Sequence, residues 1–260
     1  MPSIRDEVHA PNGAGFARLN GFADADVGHR MLDDVVGLVR AAARGNSVNG
    51  ALVMPEAQPD FVGKEPEDRI SKVFKLHRRP TFETFLRSPE VTAVLVASIG
   101  PDVDCFLSQF IFKNPGAWGQ PWHQDSFYFH FDQPRPIVGL WLAVTQATLE
   151  NGCLHVLPGS HAEPVHPHVP DARPGANYGY VEIVDHDMST STPVLMDPGD
   201  LLVFDSHLMH RSTDNEADAA RAAMMFHFCP ATTIENGYVS PVNDRVPLLR
   251  GATSCTSAVP

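Results

Sequence analysis

The chain of 260 residues carries 19 Lys and Arg against 31 Asp and Glu, a formal net charge of −12, with 43% hydrophobic and 19% charged residues. This is a globular mix able to bury a large core, and a length that a single all-β domain can reach, so disorder is excluded as the main theme. The acidic balance, broken only by the short "KLHRRP" at Lys75 to Pro80, argues against nucleic acid and anionic membrane as partners and leaves a small-molecule substrate.

In chain order, residues 1–14 read as a flexible arm, 15–247 as one domain and 248–260 as an irregular tail. "GFARL" predicts a short strand. "DADVGHRMLDDVVGLVRAAARG" predicts a helix with Asp24 or Asp26 as N-cap, apolar Val27, Met31, Val35, Leu38 and Val39 on one face, and Gly45 beyond its end. Residues 46–68 are rich in Pro, Gly and acids and predict a long loop of the kind that lines a site. "RISKVFKLHRRP" reads as extended. "TFETFLRSPEVTAVLVASIG" gives one or two helices, the second starting after Ser88 with Pro89 at its first position.

From there the pattern turns to strands: "DCFLSQFIFKNP", "PWHQDSFYFH", "IVGLWLAVTQA", "GCLHVLP", "TPVLMDPGDLLVFDSHLMH" and "RAAMMFHFCP", punctuated by Gly, Pro and Asn. Helices followed by a series of strands predict a mainly β fold with flanking helices, a sandwich or barrel-like jelly roll. Cys105, Cys153, Cys229 and Cys255 form no CxxC pair and read as reduced thiols of a cytoplasmic protein. The amino terminus has no apolar run, and no uncharged 18-residue apolar stretch occurs, so neither a signal peptide nor a membrane span is expected.

The chemistry concentrates in "PWHQDSFYFH". On a strand, His123 and Asp125 project to one face about 7 Å apart, a pincer for a metal. The third ligand predicted is His210 in "FDSHLMHRS", with His207, three residues earlier, as the competing choice. Two histidines and one carboxylate on one face of a metal leave three positions open, the facial triad of non-heme Fe(II) oxygenases. If such a site takes 2-oxoglutarate, the far carboxylate needs a fixed cation, and Arg221 can bind it bidentately with the Ser212 hydroxyl adding a further bond. His166 and His168 in "HAEPVHPHVP" form an HxH, but their proline-rich context reads as a mobile surface segment and not a metal site; His227 reads as packing or hydrogen-bonding within a sheet.

These residues resemble the phytanoyl-CoA dioxygenase family of Fe(II)/2-oxoglutarate oxygenases, in particular its phytanoyl-CoA dioxygenase domain-containing members. The resemblance runs from about Gly15 to Pro247, through "GFARLNGF", "ISKVFKLHR", "QFIFKNPG", "PWHQDSF", "VGLWLAVTQATLENGCLHVLPGSH", "PGDLLVFDSHLMHRSTDN" and "FHFCPA". "TLENGCL" with "LPGSH" is its most specific element. It implies a double-stranded β-helix (cupin-like jelly roll), iron held by His123, Asp125 and His210, and Fe(II), 2-oxoglutarate and O2 as the reactive set. It also implies Arg221 and Ser212 as the 2-oxoglutarate clamp, Trp141 as a cofactor-site tryptophan, Lys72 (with Lys75 close by) as a cofactor-site lysine, and Gln109 at a cofactor-site position.

With Asp125 present, halogenation is disfavoured and hydroxylation of a small or medium-sized organic molecule is expected. Phe127, Tyr128 and Phe129, residues 46–68 and "ATTIENGYVSPVNDRVP" are the expected substrate walls. "ENGCLHVLPGSH" reads as turns that shape sheet edges near the site. The rival readings are a non-catalytic metal- or ligand-binding protein of the same fold and an acyl-CoA hydroxylase, the latter needing a basic patch for the CoA phosphates.

Overall fold

A computed structural model describes residues 3–56, 58, 63–131, 136–174, 179–237 and 239–255. Four helices lead into or flank the strands: α1 (Ile4–His9), α2 (Ala25–Ala43), α3 (Pro80–Leu86) and α4 (Pro89–Ile99). The first strands are β1 (Phe16–Leu19), β2 (Leu52–Pro55), β3 (Ile70–Phe74), β4 (Val103–Lys113), β5 (Val138–Ala143), β6 (Leu154–Val156) and β7 (Val169–Pro170). The remainder are β8 (Val181–Glu182), β9 (Thr192–Val194), β10 (Leu201–Asp205), β11 (His210–Ser212), β12 (Arg221–Pro230), β13 (Val246–Arg250) and β14 (Thr253–Ser254).

The large sheet has the order β1-β10-β5-β12-β4-β13-β14, with β3 and β2 continuing from β4; a small sheet, β11-β6-β9, lies over one face of it. All of these pairings are antiparallel. Between the two sheets sit Trp141, Ala143, Leu202, Phe204, Ala223 and Met225 from the large sheet against Leu154, Val156 and Val194 from the small one. The opposite face of the large sheet packs Leu140, Leu142, Met224 and Phe226 against Met31, Val35, Leu38 and Val39 of α2. The architecture is the expected jelly roll.

Period-2 alternation explains how one strand serves both layers. On β12, Ala222, Met224, Phe226 and Phe228 face the helix-side core, leaving Arg221, Ala223, Met225 and His227 for the interior between the sheets. Because both faces are covered, the run reads as almost continuously apolar. Gly139 on β5 makes room here: a Cβ at this position would lie 2.5 Å from Met225 Cε and 2.8 Å from Phe204 Cζ.

The helices follow their local signals. Asp24 caps α2 by accepting from the Asp26 backbone N–H, and Ser88 caps α4 by accepting from Val91, with proline at the start of α4.

Four expectations are corrected. The predicted arm is folded from Ser3: the Ser3 hydroxyl accepts from the Asp6 backbone N–H to cap α1, and Val8 is fully buried in the main core. The predicted 46–68 loop contains β2, which pairs with β3; β2 is half-exposed and ends in Pro55, so its edge position produces little apolar periodicity. "PWHQDSFYFH" is not a strand. His123 makes an isolated bridge to His210, and Asp125–Tyr128 turns into a 3-10 helix, so the aromatic run belongs to a tight turn. The predicted tail from 248 begins inside β13, whose Leu248 and Leu249 are buried, and β13 then pairs with β14. Residues 1–2, 57, 59–62, 238 and 256–260 of the segments named in these readings lie outside the described residues.

One bond fastens α1 to the large sheet: His9 Nδ1 donates to Asp205 Oδ2 at 2.6 Å, while Asp205 Oδ1 accepts from the His207 backbone N–H at 2.8 Å. Burial alone pushes the Asp205 carboxyl up, but its bonds from His207 and His9 outweigh that and hold it at about 2. Its pKa lies below the ordinary value of about 3.9, so this stabilisation is complete above pH ~4 and is lost as the pH falls towards 2. A His9→Ala substitution is expected to lower the unfolding free energy at neutral pH by about 1–3 kcal/mol. It should also flatten the loss of stability between pH 4 and about 2, as read by denaturant melts across that range.

Candidate active site

Three side chains from two chain segments meet in the interior. His123 Nε2 lies 3.4 Å from Asp125 Oδ1, which lies 3.7 Å from His210 Nε2. The three potential donor atoms lie within 4.8 Å of one another, and all three residues are buried. The paired backbones of His123 and His210 hold the imidazoles together: each N–H donates to the other's carbonyl, at 2.9 and 3.0 Å.

Each imidazole is pinned through its other nitrogen. His123 Nδ1 donates to the Pro121 carbonyl at 2.8 Å, and His210 Nδ1 to the Leu208 carbonyl at 2.9 Å. This fixes the tautomer and turns both Nε2 lone pairs toward Asp125. Burial and the neighbouring His123 push His210 down to about 4, which keeps it neutral at physiological pH. Burial alone would raise the Asp125 carboxyl. The facing histidines, His210 and His227 first with His123 beside them, outweigh that and hold it well below the usual carboxylate range. Two imidazole nitrogens and one carboxylate oxygen form a set suited to a divalent transition metal.

His207 does not join this cluster: its Nδ1 sits 3.4 Å from Asp205 Oδ1 and 3.2 Å from the Ser126 hydroxyl. His227, read from sequence as a packing or hydrogen-bonding residue, supports Asp125: its Nε2 donates to Asp125 Oδ2 at 2.8 Å, leaving Oδ1 to face the two histidines. Outer partners of metal-bound carboxylates commonly contribute 10–100-fold in affinity, so His227→Leu is expected to weaken Fe(II) binding by about that factor. Anaerobic competition against a chromophoric chelator measures it.

The triad lines a cavity of about 570 Å3, and Arg221, Ser212, Trp141, Lys72 and Gln109 all reach the same cavity. Arg221 is 1% exposed. Its Nη2 donates to the Gly152 carbonyl at 2.8 Å, and its guanidinium lies 5.4 Å from the Trp141 ring centroid. Its Nε has no hydrogen-bond partner among the described residues. An unsatisfied donor on a buried cation fits an anionic group from the cavity.

Two neighbours were not singled out from sequence. Lys113, paired with Arg221 in the register of β4 and β12, donates from Nζ to the Ser212 hydroxyl at 3.1 Å and to the Trp118 and Thr213 carbonyls. Burial, followed by the nearby Arg221 charge, holds the Lys113 ammonium well below its ordinary pKa. Gln120 accepts from Lys72 Nζ at 3.2 Å, and its amide nitrogen donates to His123 Nε2 at 3.0 Å. The alternation Gln109, Ile111, Lys113 on β4 was the available signal for Lys113; no local pattern points to Gln120.

Lys72, and not Lys75, is the lysine at the cavity; Lys75 adopts a φ of 63° at the turn after β3. Lys72 Nζ also lies 4.8 Å from the Tyr180 ring centroid. The "ENGCL" turn proves closer to the chemistry than a sheet-edge turn. Gly152 has φ +81°, a Cβ there would lie 2.5 Å from the Thr213 carbonyl oxygen, and its own carbonyl holds Arg221. In "LPGSH", the Ser160 hydroxyl accepts from the Met209 backbone N–H at 2.9 Å and so fixes the residue before His210.

Phe127, Tyr128 and Phe129 border the cavity as expected, with Met54 from β2 and Ser240, Val242 and Asn243 from the segment before β13. Tyr180 borders it too and was not anticipated. Among the described residues, no helix is long and apolar enough to cross a membrane.

The phytanoyl-CoA dioxygenase (PhyH) family matches residues 12–223. Phytanoyl-CoA dioxygenase domain-containing protein 1 of Rattus norvegicus is 34% identical over 176 residues, covering 64% of this chain and 59% of its own. Peroxisomal phytanoyl-CoA dioxygenase of Bos taurus is 31% identical over 171 residues, covering 64% and 51%. The chain thus spans a little over half the length of these curated relatives.

Among solved structures, the fold matches the non-heme monooxygenase ThoJ, with a TM-score of 0.69 at 18% identity over 96% of this chain and 85% of that one. It also matches EvdO2 of Micromonospora carbonacea var. aurantiaca in complex with 2-oxoglutarate, with a TM-score of 0.64 at 23% identity over 92% and 94%. With the family match covering most of its length, this chain belongs to the phytanoyl-CoA dioxygenase (PhyH) family.

Proposed function

We propose that the protein is an Fe(II)- and 2-oxoglutarate-dependent dioxygenase that hydroxylates a C–H bond of a small or medium-sized organic substrate. The observation that carries this reading is a single cavity with a His-Asp-His face on one wall and a buried arginine, bearing an unsatisfied donor, on another. His123 and His210 would hold Fe(II) through Nε2, and Asp125 through Oδ1. Arg221, with Ser212 and Lys113 beside it, would hold the far carboxylate of 2-oxoglutarate, and Trp141, Lys72 and Gln109 would shape the cofactor side of the cavity.

Bound iron supplies the oxidation of 2-oxoglutarate by O2 to succinate and CO2, with the second oxygen atom going into the substrate C–H bond. The chain's own part is orientation and exclusion of water. Apolar walls at Met54, Phe129 and Val242 border the site, and His123 and His210, pinned at Nδ1, would present their Nε2 lone pairs to the metal once the Gln120 amide releases His123.

The cavity lies within the usual 300–1,000 Å3 range for small-molecule sites. For an acyl-CoA the two arginines of "KLHRRP" are already engaged. Arg78 makes a bidentate pair with Asp244 at 2.7 and 2.8 Å, and Arg79 pairs with Asp34. That disfavours this stretch as a CoA phosphate clamp. The four free cysteines suit a cytoplasmic setting.

Succinate formation tests the reading. Purified protein with Fe(II), 2-oxoglutarate and air should release succinate, slowly alone and faster with a productive substrate. Binding of both cofactors with no succinate above a protein-free control would instead support a non-catalytic binding protein.

A further inference from the structure

Between β6 and β9 the chain makes an excursion that returns Glu163, His166 and His186 to one point. His166 Nε2 lies 2.8 Å from Glu163 Oε2, and His186 Nε2 lies 3.1 Å from the same oxygen. One potential donor atom from each residue lies within 4.8 Å of the others. Bonds of 2.0–2.1 Å in a tetrahedral zinc site put ligand atoms about 3.3 Å apart, so the present spacing needs only small side-chain adjustments.

The surroundings hold these donors in place. His186 Nδ1 lies 3.1 Å from the Asp187 carbonyl, which would hold the ring proton on that nitrogen once zinc replaces the Nε2–Glu163 hydrogen bond. The His166 backbone N–H donates to Gln124 Oε1 at 2.8 Å, and the Gln124 amide donates in turn to the Pro164 and His207 carbonyls. Gln124 is fully buried. The side chains of Glu163, His166 and His186 are 40, 22 and 19% exposed, which leaves room for water on the open side. Two imidazoles and one carboxylate suit a borderline transition ion, and Ca2+ or Mg2+ would require an oxygen-rich set.

We propose that Glu163, His166 and His186 form a second metal site, separate from the His123 triad, that takes Zn2+ with water completing its tetrahedron and clips residues 179–186 to the 163–168 stretch beside the active-site cavity. The clip lies next to the pocket. The Gln124 backbone N–H donates to His168 Nε2 at 3.2 Å, the His168 ring lies 4.2 Å from that of Phe127, and the Ile183 N–H donates to the Trp122 carbonyl at 2.8 Å. Closing the Glu163–His186 loop would therefore restrain the stretch that carries Tyr180 on the cavity wall.

The test is zinc stoichiometry in metal-stripped protein, by competition with a chromophoric chelator, read together with amide hydrogen exchange. Wild type is expected to bind two equivalents, His210→Ala to keep the clip equivalent, and His186→Ala and Glu163→Gln each to keep only the triad equivalent. Removing a direct ligand costs at least as much as removing an outer partner, so the clip affinity should fall on the order of tenfold or more. Zinc should slow exchange across 179–187 in wild type and not in His186→Ala. A single equivalent in wild type that is lost in His210→Ala and kept in His186→Ala would mean that the cluster is only a carboxylate-imidazole pairing and would overturn the proposal. So would a second equivalent that survives in His186→Ala, or unchanged exchange on zinc addition. None of these readouts requires turnover, so failure here is distinct from failure of the oxygenase reading.

Discussion

An Asp125→Ala variant is expected to lose stable Fe(II) binding and, with it, succinate formation. Asp125 is the one anionic donor among the three, and it is shared: Oδ1 faces His123 and His210, and Oδ2 takes the His227 N–H. Removing it leaves two neutral nitrogens to hold the ion and strands the buried His227 donor. Loss of an outer partner commonly costs 10–100-fold in metal affinity, so loss of the carboxylate itself should cost on the order of 1000-fold. Equilibrium dialysis against Fe(II) under argon, with circular dichroism to confirm the fold, measures the first effect, and succinate assay the second. An Asp125→Ala protein that retained iron as tightly as wild type would show that the metal sits elsewhere.

Arg221→Met is expected to act on the cosubstrate and leave the metal in place. The guanidinium is buried, stacked near Trp141 and anchored by the Gly152 carbonyl, with Nε unsatisfied. Burial lowers it from its ordinary value to about 10, so it stays charged at neutral pH. Methionine keeps much of the volume but removes the charge. Breaking one side of a buried ion pair costs about 3–5 kcal/mol, so the Kd for 2-oxoglutarate should rise roughly 150- to 5000-fold. Fe(II) affinity should stay within about threefold of wild type, because Arg221 is no part of the metal cluster. Calorimetry or fluorescence quenching with 2-oxoglutarate in the presence of Fe(II) separates the two effects. An unchanged 2-oxoglutarate affinity would remove Arg221 from the clamp.

The sequence was most legible where a rule of local geometry applied. Asp24, Ser88 and Pro89 marked helix starts, and His210, Ser212 and Arg221, picked out for a metal and an anionic cosubstrate, do line one cavity. It was less legible where geometry depends on long-range register. Lys113 becomes a site residue only because β4 pairs with β12 at Arg221, and Gly152 because its turn closes over that same arginine. The His123–Asp125 pair was found for a reason that proved only half right. The two carboxylate and imidazole groups do meet, but through a bridge followed by a 3-10 turn and not along a strand. The folded amino terminus was hidden because scattered contacts fasten it, among them buried Val8, the His9–Asp205 bond and the His161 bond to the Ala10 carbonyl, and none makes a pattern in a stretch rich in charge and glycine. Glu163 and His186 are 23 residues apart in sequence, and only closure of their loop brings them to the proline-rich histidines once read as surface.

The central claim is that iron and 2-oxoglutarate bind together in this one cavity. Anaerobic titration of metal-free protein with Fe(II) and 2-oxoglutarate, followed in the visible range, tests it most directly, because a keto acid chelated to Fe(II) gives a metal-to-ligand charge-transfer band. The account predicts a saturable band at one iron and one 2-oxoglutarate per chain, lost in Asp125→Ala and shifted to much higher 2-oxoglutarate concentration in Arg221→Met. Folded wild-type protein that shows no band at saturating concentrations of both would contradict it.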